Sequence, residues 1–590
     1  MKNIKNYIKL LLFSALLFTT SCSLDEELPG VAITSQRFQN ETDATAAVNG
    51  IMAIMSDYSY YKEQWWYTLM LTADDLHQAG SNSDAMGNSA LTLKTYKGDL
   101  VNISKGWYYM YRAIDASNLC IQKIPTITGD SLKKEQLLGE AYFLRAMNYF
   151  NVVRYFGKGI VTLEPVTGLD NLYKPFQNKD SIYKIIESDL LAAAKRLPHA
   201  KSASAQSGRP AKGAAQGILS LVYLTQEKWQ LAANYADSVI LSNQYSLIQD
   251  YAQLWNVDKE NVNIEENIFS IQYARDNTTA AYGSLGSVYA YMFCPNNIQF
   301  NTGLKGASAT DPITGTGNAG GLRVHCYFFD EYFYDYDLTR GGKVEYATTT
   351  EKDYRIDKSF FYGTWQGTGQ NKADLTTYGK PVDAIIYPGG KGNGDNPAYT
   401  TSKPNFNSLP FPMILKYRDG NGIDSRNQGN DLTILRLAEV YLIKAEAANE
   451  LGKTTDAYSA FNKVRERARL ANSTSGGTKR TVPKDLATGL AKEQFRLAVL
   501  KERGLELIAE GHRWFDLTRM KMNNGQTMYE YRFSTAVNKQ PFKKAGVAIE
   551  NNLRSLPSLA YFSKNILFPI PTEEFDKNTA VNLSEQNPGY

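Results

Sequence analysis

The sequence predicts a mostly α-helical fold, a scaffold of helical hairpins interrupted by a large, irregular, loop-rich insertion. Three observations predict it. Apolar residues recur at spacings of three and four through two long zones, about 44–242 and 431–522. Glycine or proline stands where these periodic segments end. Between the zones, residues 272–430 become rich in Gly, Asn, Thr and Tyr. That stretch is too long for one structureless loop in a compact body, so short helices, a few strands and extended surface loops are expected there.

The chain opens with Lys2, Lys5 and Lys9, an apolar run from Leu10 to Phe18, and the small residues Thr19-Thr20-Ser21. These are the three zones of a secretory signal. The apolar run is short of the roughly 20 residues needed to span a bilayer, so residues 1–21 read as a cleaved signal. Cys22 follows, and residues 22–40 form a linker that begins with the acidic stretch Asp25-Glu26-Glu27. No later apolar run is long enough to cross a membrane.

Residues 41–271 form the first helical part. Ser131 is placed to cap a helix through Gln136, Ala141, Leu144, Met147, Tyr149 and Val153, ended at Gly157. Ser181 opens a helix over Ile182–Leu197, stopped by Pro198. Lys212–Ile240 reads as a hairpin, with Leu219, Ser220 and Tyr223 on its first helix and Ala232 and Val239 on its second. Residues 431–590 form the second helical part. Leu437, Val440, Tyr441, Ala445 and Ala448 line one helix, Gly452 marks a turn, and Ala457, Phe461 and Val464 line the partner. Glu493–Ala509 is a further long helix, ended by Gly511. Both hairpins resemble tetratricopeptide units, in which a small residue lets two helices approach closely.

Composition excludes some function classes. The 590 residues carry a formal net charge of +4, and without the three signal lysines 61 basic residues face 60 acidic ones. This near-neutral balance, with no basic patch, makes nucleic acid a poor partner. Cys120, Cys294 and Cys326 allow one disulfide at most, and Cys294 and Cys326 flank one Gly-rich loop. Cys120 sits in a helical stretch and reads as a buried small apolar residue. Aromatics reach 12% of the chain, including 39 Tyr, many in loops with Gly, Asn and Ser. Such loops suit flat, polar-rimmed ligands such as sugars, or else pack on a helical core.

Several motifs in order carry a resemblance. They are Glu140-Ala141-Tyr142-Phe143-Leu144-Arg145-Ala146 with Val153-Arg154-Tyr155-Phe156-Gly157, and Gly208-Arg209-Pro210-Ala211-Lys212-Gly213. Leu435-Arg436-Leu437-Ala438-Glu439 and Glu510-Gly511-His512-Arg513-Trp514-Phe515-Asp516 follow, then the terminal Asn587-Pro588-Gly589-Tyr590. Together they resemble the SusD/RagB family of outer-membrane nutrient-binding lipoproteins. The site before Cys22 likewise resembles a lipobox, with Thr19 where Leu is usual.

The resemblance implies lipid on Cys22, anchorage in the outer membrane facing the cell exterior, and a SusC-like TonB-dependent transporter as partner. It implies capture of an oligosaccharide, or in some members a peptide, without catalysis, metal or other cofactor. Arg145, Arg436 and Arg513 lie beside acidic residues in these motifs and read as fold-maintaining. His512 reads the same way. A glycoside hydrolase and a protein-binding helical scaffold are the remaining alternatives.

In starch-binding relatives the ligand arc draws on a loop after an early acidic pair and on loops of the middle third. Here the first is Asp74-Asp75 followed by His77 to Asp84, with His77 and Asn82 as candidate contacts. The second holds Tyr289, Tyr291 and Asn296, then a Gly-rich run to Gly321. Both lack the tryptophan of a starch-type arc, which leaves the ligand class open. Trp365, set between glycines in a polar loop, is the leading aromatic candidate for a sugar platform. Trp65, Trp66, Trp107, Trp229 and Trp255 read as packing residues.

Overall fold

A computed structural model describes residues 38–78, 88–166, 168, 172–206, 208–257, 265–275, 285–293, 322–324, 328, 334–337, 342–345, 353–361, 413–417, 427–470, 480–534, 543–544, 547–548 and 563–590. The first helix, α1 (Glu41–Met55), starts at Asn40, whose side chain accepts from the Thr42 and Asp43 N–H groups while Asp43 returns a bond to Asn40. Ala44, Val48, Ile51 and Met55 form its buried stripe. Then come α2 (Gln64–Thr72) and strand β1 (Leu76–Gln78), followed by α3 (Val101–Lys123), α4 (Ser131–Phe156) and α5 (Lys179–Arg196). The long α4 is buried over most of its surface from Gln136 onward, because α1, α3 and α5 all pack on it. Covered from several sides, it buries polar side chains as well, among them Glu140, Arg145, Asn148 and Asn151.

The first sequence-predicted hairpin is present as α6 (Lys212–Thr225) and α7 (Trp229–Ile240). Ser220 is fully buried on the first of them and bonds back to the Gly217 carbonyl at 2.6 Å, while Tyr223 stacks on Tyr235 with ring centroids 5.4 Å apart. After strand β2 (Asn267–Ile271) come the short helix α8 (Tyr289–Phe293), strand β3 (Leu322–Val324) and strand β4 (Leu432–Arg436). The second hairpin follows as α9 (Leu437–Glu450) and α10 (Thr454–Leu470), turning at Gly452, whose φ of 72° suits a residue without Cβ. Helices α11 (Lys492–Glu506) and α12 (Arg513–Arg519) complete the second helical part. Helices α3, α4, α5, α6, α7, α9 and α10 pack each on the next, so the two hairpins form one continuous array.

Strand β2 pairs antiparallel with β4, starting from Ile271 opposite Leu432. The chain thus leaves the helical scaffold and returns to it through one ladder. Between these strands the described residues include the short helices α8 and Tyr354–Ser359 and two-stranded pairings such as Tyr334–Asp337 with Gly342–Glu345. This is the mixture of short elements that the composition predicts.

Three helix ends differ from the sequence reading. Asp130, not Ser131, caps α4, because its carboxylate accepts from the Leu132 N–H at 2.9 Å. Asn178, not Ser181, caps α5, accepting from the Ser181 N–H at 2.9 Å and starting the helix at Lys179. Helix α11 stops at Glu506 instead of running to Ala509, which takes a left-handed φ of 60°.

The centre holds a dense charge network. Arg436 reaches Glu266 at 2.8 Å, Glu506 at 2.6 Å and Glu510 at 2.8 Å. Arg355 meets Asp353 at 2.7 Å, Glu502 at 2.6 Å and Glu506 at 2.7 Å. Lys416 holds Glu510 at 2.7 Å, and Arg467 pairs with Glu266 and Glu506. All these groups are buried, and their charges survive because each is paired. Burial alone would raise the Glu506 carboxyl, but Arg467, Arg436 and Arg355 hold it well below the usual range.

The C-terminal segment closes one side. Asn587 donates to the Phe156 carbonyl at 2.9 Å and to the Phe568 carbonyl at 2.7 Å. Phe568 packs on Trp65, Tyr155 and Trp514 in an aromatic cluster. Trp65 and Trp66 are core residues as the sequence predicts, and so are Trp107 and Trp255. Trp229 is partly buried against the same core. Among the described residues no helix is long and apolar enough to cross a membrane.

Candidate functional site

The acidic pair at the end of α2 roots the first candidate loop. Asp74 accepts from Arg513 on α12 through both carboxylate oxygens, at 2.6 and 3.0 Å, and from Arg532 at 2.8 Å. Burial would raise its pKa, but the two guanidinium groups hold the carboxyl well below the usual range. Asp75 has no such partner. Burial first, then the charge on Asp74, pushes it up to about 7, against a lesser opposing pull from Arg513. Beside them Lys94 is buried, and burial pushes its amine down to about 7 although both aspartates favour the charge. Its Nζ donates to the Leu71 carbonyl at 2.6 Å and the Ala73 carbonyl at 3.2 Å.

Strand β1 continues from this root and pairs antiparallel with β3, setting Leu76 opposite Val324, His77 opposite Arg323 and Gln78 opposite Leu322. Two stretches that the sequence singles out separately are therefore joined at their roots: the segment after Asp74-Asp75 and the segment after the Gly303–Gly321 run. Helix α8, with Tyr289 and Tyr291, packs against β3.

The individual candidates fare differently. His77 lies on β1. Tyr289 is corrected: it is fully buried, its hydroxyl donates to the Tyr61 carbonyl at 2.9 Å, and its ring lies 5.7 Å from Tyr273 and 5.1 Å from Tyr417. It is a packing residue and presents no surface to a ligand. Tyr291, two positions on, is only partly buried. Cys22, Asn82, Asn296 and Trp365 lie outside the described residues, as do Cys294 and Cys326 with any disulfide between them. Cys120 is a buried free thiol, and burial pushes it up to about 12. Sequence reasoning missed Lys94 and Arg532, which meet the acidic pair only through tertiary packing and carry no local signal.

The motif arginines do structural work. Arg145 grips Asp189 on α5 with two bonds of 2.8 Å and reaches Asn118 on α3 at 2.9 Å, tying three helices together. Arg513 clamps the loop root described above. His512 Nδ1 lies 3.2 Å from Glu439, and burial pulls its pKa below the ordinary value. Glu439 and Asp516 are bridged in turn by Arg503 at 3.0 and 2.7 Å. These charged side chains are committed to holding helices and loop roots in place.

Fold and site define a helical-repeat scaffold on which the β1–β3 pair joins the segment after Asp74-Asp75 to the segment after Gly321. The model of the SusD family matches residues 265–590, and a second model, described as starch-binding and associating with the outer membrane, matches residues 31–224. The chain belongs to the SusD family. It is 26% identical to a SusD-like protein of Formosa agariphila over 98% of this chain and 99% of that one. A SusD-like protein of Bacteroides ovatus is 24% identical over 70% of this chain and 65% of its own. Among solved structures, a SusD homologue of Bacteroides thetaiotaomicron superposes with a TM-score of 0.70 at 22% identity, covering 94% of this chain and 97% of the other. A laminarin-binding SusD-like protein superposes with a TM-score of 0.63 at 23% identity, covering 94% and 100%.

Proposed function

We propose that this protein is a lipid-anchored glycan-binding protein of the outer membrane. It captures oligosaccharide or polysaccharide at the cell exterior and delivers it to a SusC-like TonB-dependent transporter, without itself cleaving the glycan. Lipid on Cys22 supplies the anchor. The observation that carries the reading is the β1–β3 pairing, which sets His77 opposite Arg323 on a scaffold of the SusD family. The likeness to a laminarin-binding relative over nearly the whole chain supports a glycan as cargo. Asn82, Tyr291, Asn296 and Trp365 join His77 as proposed contacts. An aromatic ring such as Trp365 offers the apolar face that a pyranose stacks on, and the amides answer its hydroxyls.

The test is retention on native gels containing laminarin, starch, xylan or mannan, using the mature chain. Retention by one glycan, weakened at least tenfold by Trp365→Ala, is expected. Retention by none, with tight binding of mixed peptides in solution, would replace glycan by peptide cargo. Release of reducing ends from any polymer would overturn the non-catalytic reading.

A further inference from the structure

The β1–β3 pair has one face turned to the core. Leu76 on β1 and Leu322 and Val324 on β3 are all but fully buried. Successive residues of a strand alternate between faces, so positions 77 and 323 fall on the other face. The register sets them directly opposite, His77 against Arg323. Opposite residues of an antiparallel pair have Cβ atoms roughly 4.5–5.5 Å apart, so one small group can meet both side chains.

The surroundings of this pair hold little negative charge. The described elements that pack closely on it are α2, the helix Asn88–Leu93, α8 and the strand Met413–Ile414. None of the four contains an Asp or Glu. The motif arginines differ in this respect, because the helices packed around Arg145 and Arg513 supply or approach a carboxylate for each. Asp74 and Asp75 precede β1, and neither leaves a negative charge to spare. Asp74 is held by Arg513 and Arg532 together, two positive charges on one negative. Asp75 lies near buried Lys94. Burial pushes that carboxyl up to about 7 and that amine down to about 7, so near neutral pH their charges largely offset each other. Arg323 adds a further positive charge at the strand pair. The chain past its signal is close to neutral, so this positive surplus is a local one.

We infer that His77 and Arg323 together receive an acidic group of the glycan, a carboxylate or a sulfate ester on a sugar ring, so that the cargo is an anionic polysaccharide. A guanidinium meets the oxygens of either group through paired N–H bonds, and the imidazole supplies a further donor. A neutral glycan brings no charge to answer the surplus. The inference rests on the proposed glycan reading of this site and narrows its substrate class.

The test is binding of the mature chain to immobilised polymers in matched pairs, polygalacturonate with its methyl ester and dextran sulfate with dextran. The first pair reads a carboxylate and the second a sulfate, each on an unchanged backbone. Binding of at least one acidic member about tenfold tighter than its neutral match is expected. That preference should fall to near parity in Arg323→Gln, shrink about threefold in His77→Ala and persist in part in Arg323→Lys. Lys105→Gln, at an exposed position of α3, removes the same charge elsewhere and should leave the preference unchanged. Thermal melting checks the fold of each variant, and if Arg323→Gln does not fold, His77→Ala and Arg323→Lys decide by the same readings. Equal binding within both pairs, a preference untouched by the substitutions at 77 and 323, or one that falls as far with Lys105→Gln overturns the inference. Laminarin, starch, xylan and mannan are read alongside. Binding of these without any preference for acid removes the anionic cargo and leaves glycan capture standing, whereas binding of no polymer at all removes both.

Discussion

Asp74 and Asp75 are adjacent carboxylates with opposite fates, decided by which of them the arginines reach. Asp75 is 2% exposed, and one of its oxygens has no hydrogen-bond partner. Its folded pKa, about 7, lies above the unfolded value of 3.8, so the folded state binds the proton more tightly. Stability from this group is therefore fully present below about pH 4, is lost as pH rises to about 7, and stays lost above that. Asp75→Asn, which cannot ionise, should melt several degrees above wild type at pH 8, and the difference should vanish near pH 4. A constant difference across that range would refute this account. At this scale the sequence was informative about residue roles and silent about partners. Arg145, Arg436 and Arg513 read as ion-pairing residues because acids flank them, yet their observed carboxylate partners, Asp189, Glu266, Glu506, Glu510 and Asp74, lie at least 44 positions away. Tyr289 misled for the same reason. Its local composition is that of a loop, while the residues that bury it are Tyr61, Tyr273 and Tyr417.

Among the elements, helices were legible and strands were not. The two hairpins announce themselves through apolar spacing and Gly452, since a helix buries its stripe through residues close in sequence. The β1–β3 and β2–β4 pairs involve strands of three to five residues whose partners come from distant segments, and such short runs carry no readable period. Helix starts were read one to three residues late because serine is a good cap wherever it stands, and only geometry shows that Asp130 and Asn178 do the capping. Asp130→Ala should cost about 1 kcal/mol in urea unfolding, whereas Ser131→Ala should be within about 0.5 kcal/mol of wild type. The reverse order would restore Ser131 as the cap.

For the molecule as a whole, the central charge network joins the two helical parts to the insertion. Arg355 and Lys416 come from the insertion, Glu266 from the first helical part, and Arg436, Arg467, Glu506 and Glu510 from the second. Arg436→Met would leave three buried carboxylates short of a partner and should cost about 3–5 kcal/mol, measured as a lower urea midpoint. A loss below 1 kcal/mol would mean that Lys416, Arg355 and Arg467 neutralise the site without it. The same network has a consequence for biogenesis. Ribosomes deliver the chain from its N-terminus, and Glu266 is made long before Arg436 and Arg467 exist to answer it. The central knot cannot tie until Glu510 has been made, so the centre of the molecule locks only after more than four-fifths of the polypeptide exists.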